Sequence, residues 1–271
     1  MEKIFIASLI ISVLLLGYWV LVRIALNKRI FNPDKNWCAP TQAEASQFVE
    51  MQAKTSDGQI RTIWYAKGKK DKPAILYLHG NFYSIATHAF IFRPFTDAGF
   101  PVCIAEYRGY DKTGGKASEQ GLYIDARAAY DFLKSMGYEK IVIHGCSCGA
   151  AVAAKIAADL EAEGVPPFAL ILESPFYNLL AMCPKLPLLR LFVGHKFATN
   201  EYAKRVKSPK VLLMHGVMDR LVGLEQGTRL FGEIASSDKL LHIIPKGKHE
   251  LFAEGSIEYA VKWLDEPGMG I

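Results

Sequence analysis

The stretch IVIHGCSCGAAVAAKIAADL, residues 141–160, constrains the fold more than any other part of the chain. Ile141 to His144 read as a short buried strand, and the alanine-rich run from Gly149 reads as a helix. Only Gly145-Cys146-Ser147-Cys148-Gly149 lies between them. A strand that becomes a helix in so few residues must turn very sharply. Small residues two positions before and after Ser147 let strand and helix approach without collision, and Ala150 and Ala151 carry that smallness into the helix. The central side chain of such a turn stands above the sheet on strained backbone. All three central residues are nucleophiles by chemistry, but geometry selects Ser147. Cys146 is expected toward the sheet side or pocket wall. Cys148 is expected to offer its backbone N–H rather than its sulfur.

The same alternation runs through most of the chain. FVEMQAKTSDGQIRTIWYAKG reads as two strands around a Ser-Asp-Gly turn. PAILYLHG, FPVCIAEYRGY, KIVIHG, FALILESP, KVLLMHG and KLLHIIP read as strands. HAFIFRPFTDAG, EQGLYIDARAAYDFLKSMG, GAAVAAKIAADLEAEG, EQGTRLFGEI and SIEYAVKWLDE read as helices between or after them, several closed by glycine. Short apolar strands alternating with helices predict an α/β fold with a mainly parallel sheet covered on both faces.

In such sheets the reactive groups gather beyond the carboxyl ends of the strands. Asp219 follows KVLLMHG, and His249 lies in the loop between KLLHIIP and the last helix. Ser147, Asp219 and His249 therefore occur in the chain order of a nucleophile, an acid and a base. His249 would take the serine proton and return it to the leaving group, and Asp219 would fix the imidazole tautomer. Glu173, at the end of ALILE, is the rival acid. Developing negative charge needs two donors: the N–H of Cys148 at a helix start, and an N–H after LYLHGN, from Asn81 first or Phe82 second.

Residues 4–22, IFIASLIISVLLLGYWVLV, carry no charge. A helix of that length crosses about 30 Å of hydrocarbon, and no small-x-small cleavage site follows it. Arg23, Lys28, Arg29 and Lys35 lie after the segment; Lys3 and the amino terminus, beside Glu2, lie before it. That asymmetry predicts a single-pass anchor in the cell membrane with the globular part on the cytoplasmic side, and Tyr18 and Trp19 near an interface. The expected organisation is an anchor over 1–28, a connector over 29–47 and a globular domain over 48–271, in which the apolar segment 174–209 forms a crossover or small cap.

The net charge of +5 is scattered, with KGKKDK at 67–72 as the densest run, so nucleic acid is not an expected partner. The five cysteines, Cys38, Cys103, Cys146, Cys148 and Cys183, match no disulfide framework and no zinc spacing. Neither a metal nor an organic cofactor is expected. His79, His144 and His215 each precede a glycine at a strand end and are expected to pack or fix loops; His88, His195 and His242 are expected at surface or half-buried positions.

The motifs LYLHGN, YRGY, GLYIDARAAYDFL, Gly-x-Ser-x-Gly, LESPF, HG–D and GxxH, in this order over about residues 60–265, resemble the α/β-hydrolase superfamily, and within it small N-terminally membrane-anchored serine hydrolases. The resemblance implies an α/β-hydrolase fold, a nucleophile at Ser147, an acid at Asp219, a base at His249 and oxyanion donors at Asn81 and Cys148. Relatives often carry a basic or polar residue before the serine and Leu-Gly-Gly after it, where this chain has Cys146 and Cys148-Gly149-Ala150. The expected activity is hydrolysis of carboxylic esters or thioesters through an acyl-enzyme, on lipid or acylated substrates at the membrane. A serine peptidase of the same fold and a catalytically silent membrane scaffold are the alternatives.

Overall fold

A computed structural model describes residues 2–33, 37–82, 84–110, 112–182 and 192–265. Helix α1, Glu2–Ile30, leads into a sheet of eight strands: β1 (Val49–Lys54), β2 (Ile60–Ala66), β3 (Ala74–Leu78), β4 (Val102–Ala105), β5 (Ile141–Cys146), β6 (Ala169–Glu173), β7 (Lys210–Gly216) and β8 (Lys239–Ile244). Between and after them run α2 (Ile85–His88), α3 (Arg93–Asp97), α4 (Glu119–Ser135), α5 (Cys148–Ala162), α6 (Thr199–Ala203), α7 (Leu224–Glu233) and α8 (Ser256–Asp265). Lys35, Cys183 and residues 183–191 of the expected cap lie outside the described residues.

The strand order is β1-β2-β4-β3-β5-β6-β7-β8. β1, β2 and β4 pair antiparallel, and the strands from β4 onward pair parallel. After β3 the chain crosses to β4 on one side, then returns to β5 on the other, so the winding reverses beside β3. Leu78 at the end of β3 pairs with Gly145 of β5. The loops after those two strands therefore share one crevice, where α/β sheets bind ligands.

Alternation within strands sorts the core into two layers. Ala74, Leu76 and Leu78, with Ile143 and Leu172, face one layer, packed under Ala126 and Ala129 of α4, α5 and Leu230 of α7. Ile75 and Tyr77, with Val142 and Ile171, face the other, under Phe92, Phe95 of α3 and Trp263 of α8. Buried side chains of this size contribute about 1.5–3 kcal/mol each relative to exposure. The sequence pattern over residues 88–99 predicts one helix; the structure holds α2, a 3₁₀ turn over Ala89–Phe92 and α3 instead. Pro94 in the first turn of α3 lacks the N–H that a continuous helix would use there.

Over Phe5–Ile30, α1 is long and apolar enough to cross a membrane. Beyond it, Phe31 turns into the core, edge-on to the His195 ring at 4.9 Å.

Candidate active site

The turn between β5 and α5 shows why its flanking residues are glycines. A Cβ on Gly149 would run into the carbonyl oxygens of Leu78 and His79, and one on Gly145 would run into Gly149 itself. Ser147 sits between them at φ 53° and ψ −114°, outside the ordinary regions for a residue with a side chain. Its N–H donates to the Glu173 carbonyl at 2.8 Å, and its carbonyl accepts from Ala150 N–H at 3.0 Å. The turn is thus tied to both β6 and α5.

Ser147, Asp219 and His249 come together. The Ser147 hydroxyl oxygen lies 2.9 Å from His249 Nε2, and His249 Nδ1 lies 2.8 Å from Asp219 Oδ2. The other carboxylate oxygen of Asp219 accepts the N–H groups of Leu221 and Val222, both at 2.9 Å. Burial alone would raise this carboxyl, but hydrogen bonds from His215, His249 and the Val222 N–H outweigh it and hold Asp219 well below the usual carboxylate range. It is an anion facing an imidazole whose opposite nitrogen faces a hydroxyl. That arrangement can accept a proton from Ser147 and stabilise the resulting imidazolium.

Glu173 faces a different histidine. Its Oε2 lies 3.1 Å from His144 Nε2, and its Oε1 accepts from the Ser256 hydroxyl at 3.2 Å. Two loop-fixing histidines also fall into place. His215 Nε2 donates to the Val222 carbonyl at 2.9 Å, and His79 Nε2 lies 2.7 Å from Glu106 Oε1. His88 departs from the surface or half-buried position expected for it: it is buried against the cavity wall, and desolvation pushes it down to about 3. His242 is half-buried and stacks on Tyr259 at 3.6 Å.

Asn81 lies beside Ser147 in the crevice after β3, and the two line the same cavities. Its side-chain amide donates to the Ile30 carbonyl at 2.8 Å, and its own carbonyl accepts from the Tyr110 hydroxyl at 3.0 Å. Phe82 follows it at the cavity edge with its ring exposed. Cys148 opens α5, so its N–H has no partner within the helix and lies at the positive end of the helix dipole. Its thiol is buried in the core, where desolvation pushes it up to about 12. Burial also drives Cys146 well above the ordinary thiol range, and its side chain lines the cavity with Tyr77. Among the described residues no cluster of His, Cys, Asp or Glu is suited to hold a metal ion.

Sequence reading misses three supports of this site. Ser174, at φ 46°, donates its hydroxyl to the His249 carbonyl at 2.8 Å. Met218 N–H binds the Gly247 carbonyl at 2.8 Å, joining the loops that carry Asp219 and His249. Tyr110 of YRGY braces Asn81. Tyr110 leaves a trace as the end of YRGY, and Ser174 as the residue directly after a strand end.

Two cavities meet at Ser147. One, of about 500 Å³, runs past Tyr77, His249 and Phe252 toward the charged residues Lys248, Glu250 and Glu254. The other, of about 350 Å³, is walled mainly by Leu26, Ile30, Phe176, Met182 and Phe197.

Comparison with known proteins points to the same fold. A family described as alpha/beta hydrolase fold matches residues 73–200, and one described as serine aminopeptidase, S33, matches residues 194–256. Protein ABHD12B of Homo sapiens is 34% identical over 64% of this chain and 52% of its own length. Lysophosphatidylserine lipase ABHD12 of Danio rerio is 31% identical over 72% of this chain and 55% of its own length. The chain thus spans about half the length of these curated relatives. Among solved structures, an alpha-beta hydrolase from Vibrio vulnificus superposes with a TM-score of 0.74 at 23% identity, covering 90% of this chain and 93% of that one. An esterase of Pyrococcus furiosus gives 0.69 at 19% identity, covering 86% and 96%.

Proposed function

Because this chain belongs to the α/β-hydrolase superfamily, we propose that it is a membrane-anchored serine hydrolase that cleaves carboxylic ester or thioester bonds of lipid or acylated substrates. The hydrogen-bonded run from Ser147 through His249 to Asp219 carries the proposal. In the first step His249 Nε2 takes the hydroxyl proton while Ser147 Oγ bonds to the substrate carbonyl carbon. The tetrahedral oxyanion binds the N–H groups of Asn81 and Cys148. Its collapse breaks the bond to the leaving alcohol or thiol, which leaves with the proton held by His249. Water, deprotonated by the same imidazole, then attacks the acyl-enzyme and releases the acid and Ser147. Nothing in this cycle calls for a metal or an organic cofactor.

Lipid substrates are supported by the apolar cavity beside Ser147, by the α1 helix and by relatives named lysophosphatidylserine lipase. The positive flank after α1, including Arg23, Lys28 and Arg29, supports a cytoplasmic catalytic domain. A peptidase reading rests on the serine aminopeptidase match, which spans Asp219 and His249 but not Ser147. The decisive experiment is labelling of the full chain with a fluorophosphonate, followed by turnover of p-nitrophenyl esters and of the matching anilides. Wild type should be labelled and should hydrolyse esters, and Ser147→Ala should do neither. Equal labelling of Ser147→Ala, or no labelling of wild type, would overturn the proposal in favour of a silent scaffold. Preference for anilides would favour the peptidase.

A further inference from the structure

The length of α1 exceeds what a bilayer needs. Its 29 residues span about 44 Å at a rise of about 1.5 Å each, against about 30 Å of hydrocarbon. The surplus is about nine residues, the length of Val22–Ile30. This part is not a free stalk. Val22, Arg23, Leu26, Asn27 and Ile30 are partly shielded, while Leu21, Ile24, Ala25, Lys28 and Arg29 stay exposed. Shielding at a spacing of three and four residues is one helix face laid on another surface. That surface is the catalytic domain. Tyr18 packs edge-on to Phe192 at 6.3 Å, a side chain on Gly194 would strike the Arg23 guanidinium, and the Ile30 carbonyl accepts from the Asn81 amide.

The docked face also closes a cavity. Leu26 and Ile30 form one side of the apolar cavity of about 350 Å³, and Phe176, Met182 and Phe197 form the other. Ser147 and Cys148 line the same space, and Arg29 stands at its border. The size lies within the range of ligand pockets, about 300–1,000 Å³. Lys248, Glu250 and Glu254 line the other cavity instead, so the acidic side chains near Ser147 gather on the side away from α1.

We propose that the last two turns of α1 are part of the substrate site: they form one wall of the acyl channel, so that an acyl chain reaches Ser147 alongside the same helix that enters the bilayer, with the alcohol portion in the cavity bordered by Lys248, Glu250 and Glu254. The proposal deepens the hydrolase reading and rests on it. It makes Leu26 and Ile30 determinants of chain-length specificity, and it makes Ile30 a positioning residue for Asn81.

The test uses the full chain in detergent micelles, with p-nitrophenyl acetate, laurate and palmitate as substrates and a fluorophosphonate as an independent report on Ser147. In Leu26→Trp the indole fills the channel, and the ratio of kcat/KM for laurate to that for acetate should fall at least tenfold. In Leu26→Ala, which widens the channel, the palmitate-to-laurate ratio should rise at least threefold. Leu14→Trp, on an exposed part of the same helix, should leave both ratios at the wild-type value. Normal fluorophosphonate labelling with unchanged ratios in both Leu26 variants would overturn this inference alone. A wild type that takes no label would overturn the hydrolase reading, and this inference with it.

Discussion

Replacing Asp219 by asparagine tests the proposed acid with almost no change in shape. The carboxylate uses its two oxygens differently: Oδ1 accepts the N–H groups of Leu221 and Val222, and Oδ2 faces His249 Nδ1. An asparagine has one oxygen and one NH₂. The two backbone donors hold the oxygen where Oδ1 now lies, because the reverse placement sets an NH₂ against two N–H groups. The NH₂ then points at His249 Nδ1, which must become an acceptor. The ring proton moves to Nε2, 2.9 Å from Ser147 Oγ. A nitrogen that already carries a proton cannot accept one from the serine. A wrong tautomer of this kind lowers kcat by about four orders of magnitude, or about 5 kcal/mol of barrier at about 1.36 kcal/mol per tenfold. The assay is kcat/KM for p-nitrophenyl butyrate together with the rate of fluorophosphonate labelling, with thermal unfolding to check the fold. Glu173→Gln is the companion variant, because Glu173 is engaged by His144 and Ser256. A folded Asp219→Asn protein that keeps a tenth of its activity, beside an inactive Glu173→Gln protein, would refute the reasoning and name Glu173 as the acid.

Two further outcomes follow from side chains around the site. Cys148→Ala should keep kcat/KM within about threefold of wild type at a cost of about 1 kcal/mol in stability, because only the backbone of residue 148 is proposed to act; a folded variant with a tenfold loss would assign a role to the sulfur. Arg108→Ala should lower Tm by at least about 6 °C in a calorimetric scan. Its guanidinium reaches the fully buried Asp125 at 2.7 Å and Asp57 at 2.7 Å; Arg61, 3.9 Å from Asp125, stays behind, so the loss falls at the low end of the about 3–5 kcal/mol that breaking a buried pair costs, each worth about 2–4 °C in a domain of this size. The same contact has a pH signature. The Arg108 hydrogen bond, ahead of one from Thr55, brings Asp57 from 3.8 down to about 2. The folded value lies below the unfolded one, so this stabilisation is fully present above the unfolded value and is lost as pH falls through the folded one. Urea midpoints measured across that interval should fall with acid in wild type and fall less in Arg108→Ala.

The parts of the site that are legible in the sequence share a property: each is a local consequence of a strand end. Ser147 needs the glycines two residues either side, and Asp219 and His249 need only the strands that precede them. The sheet is legible for the same reason, since short apolar runs and glycine stops lie within a few residues of each other. What is not legible depends on pairing between distant segments. Glu173 and Asp219 look alike in the sequence, and only the β5–β6 register, with Cys146 opposite Glu173, brings Glu173 to His144. Ser174 reaches His249 across 75 positions and Asn81 reaches Ile30 across 51. The break between α2 and α3 is likewise hidden by an apolar pattern that a single helix would satisfy equally well.

The backbone of Ser147 has one more consequence. Angles of φ 53° and ψ −114° cost a residue with a side chain on the order of 1–3 kcal/mol, a large share of the roughly 5–15 kcal/mol that separates folded from unfolded domains. Glycine would occupy the same turn with little penalty, so the residue that suits the backbone best is one without a hydroxyl. Fold and chemistry pull on position 147 in opposite directions. The bonds from Ser147 to Glu173 and Ala150 hold the turn against that tension, and substitutions that relax it trade the nucleophile for durability.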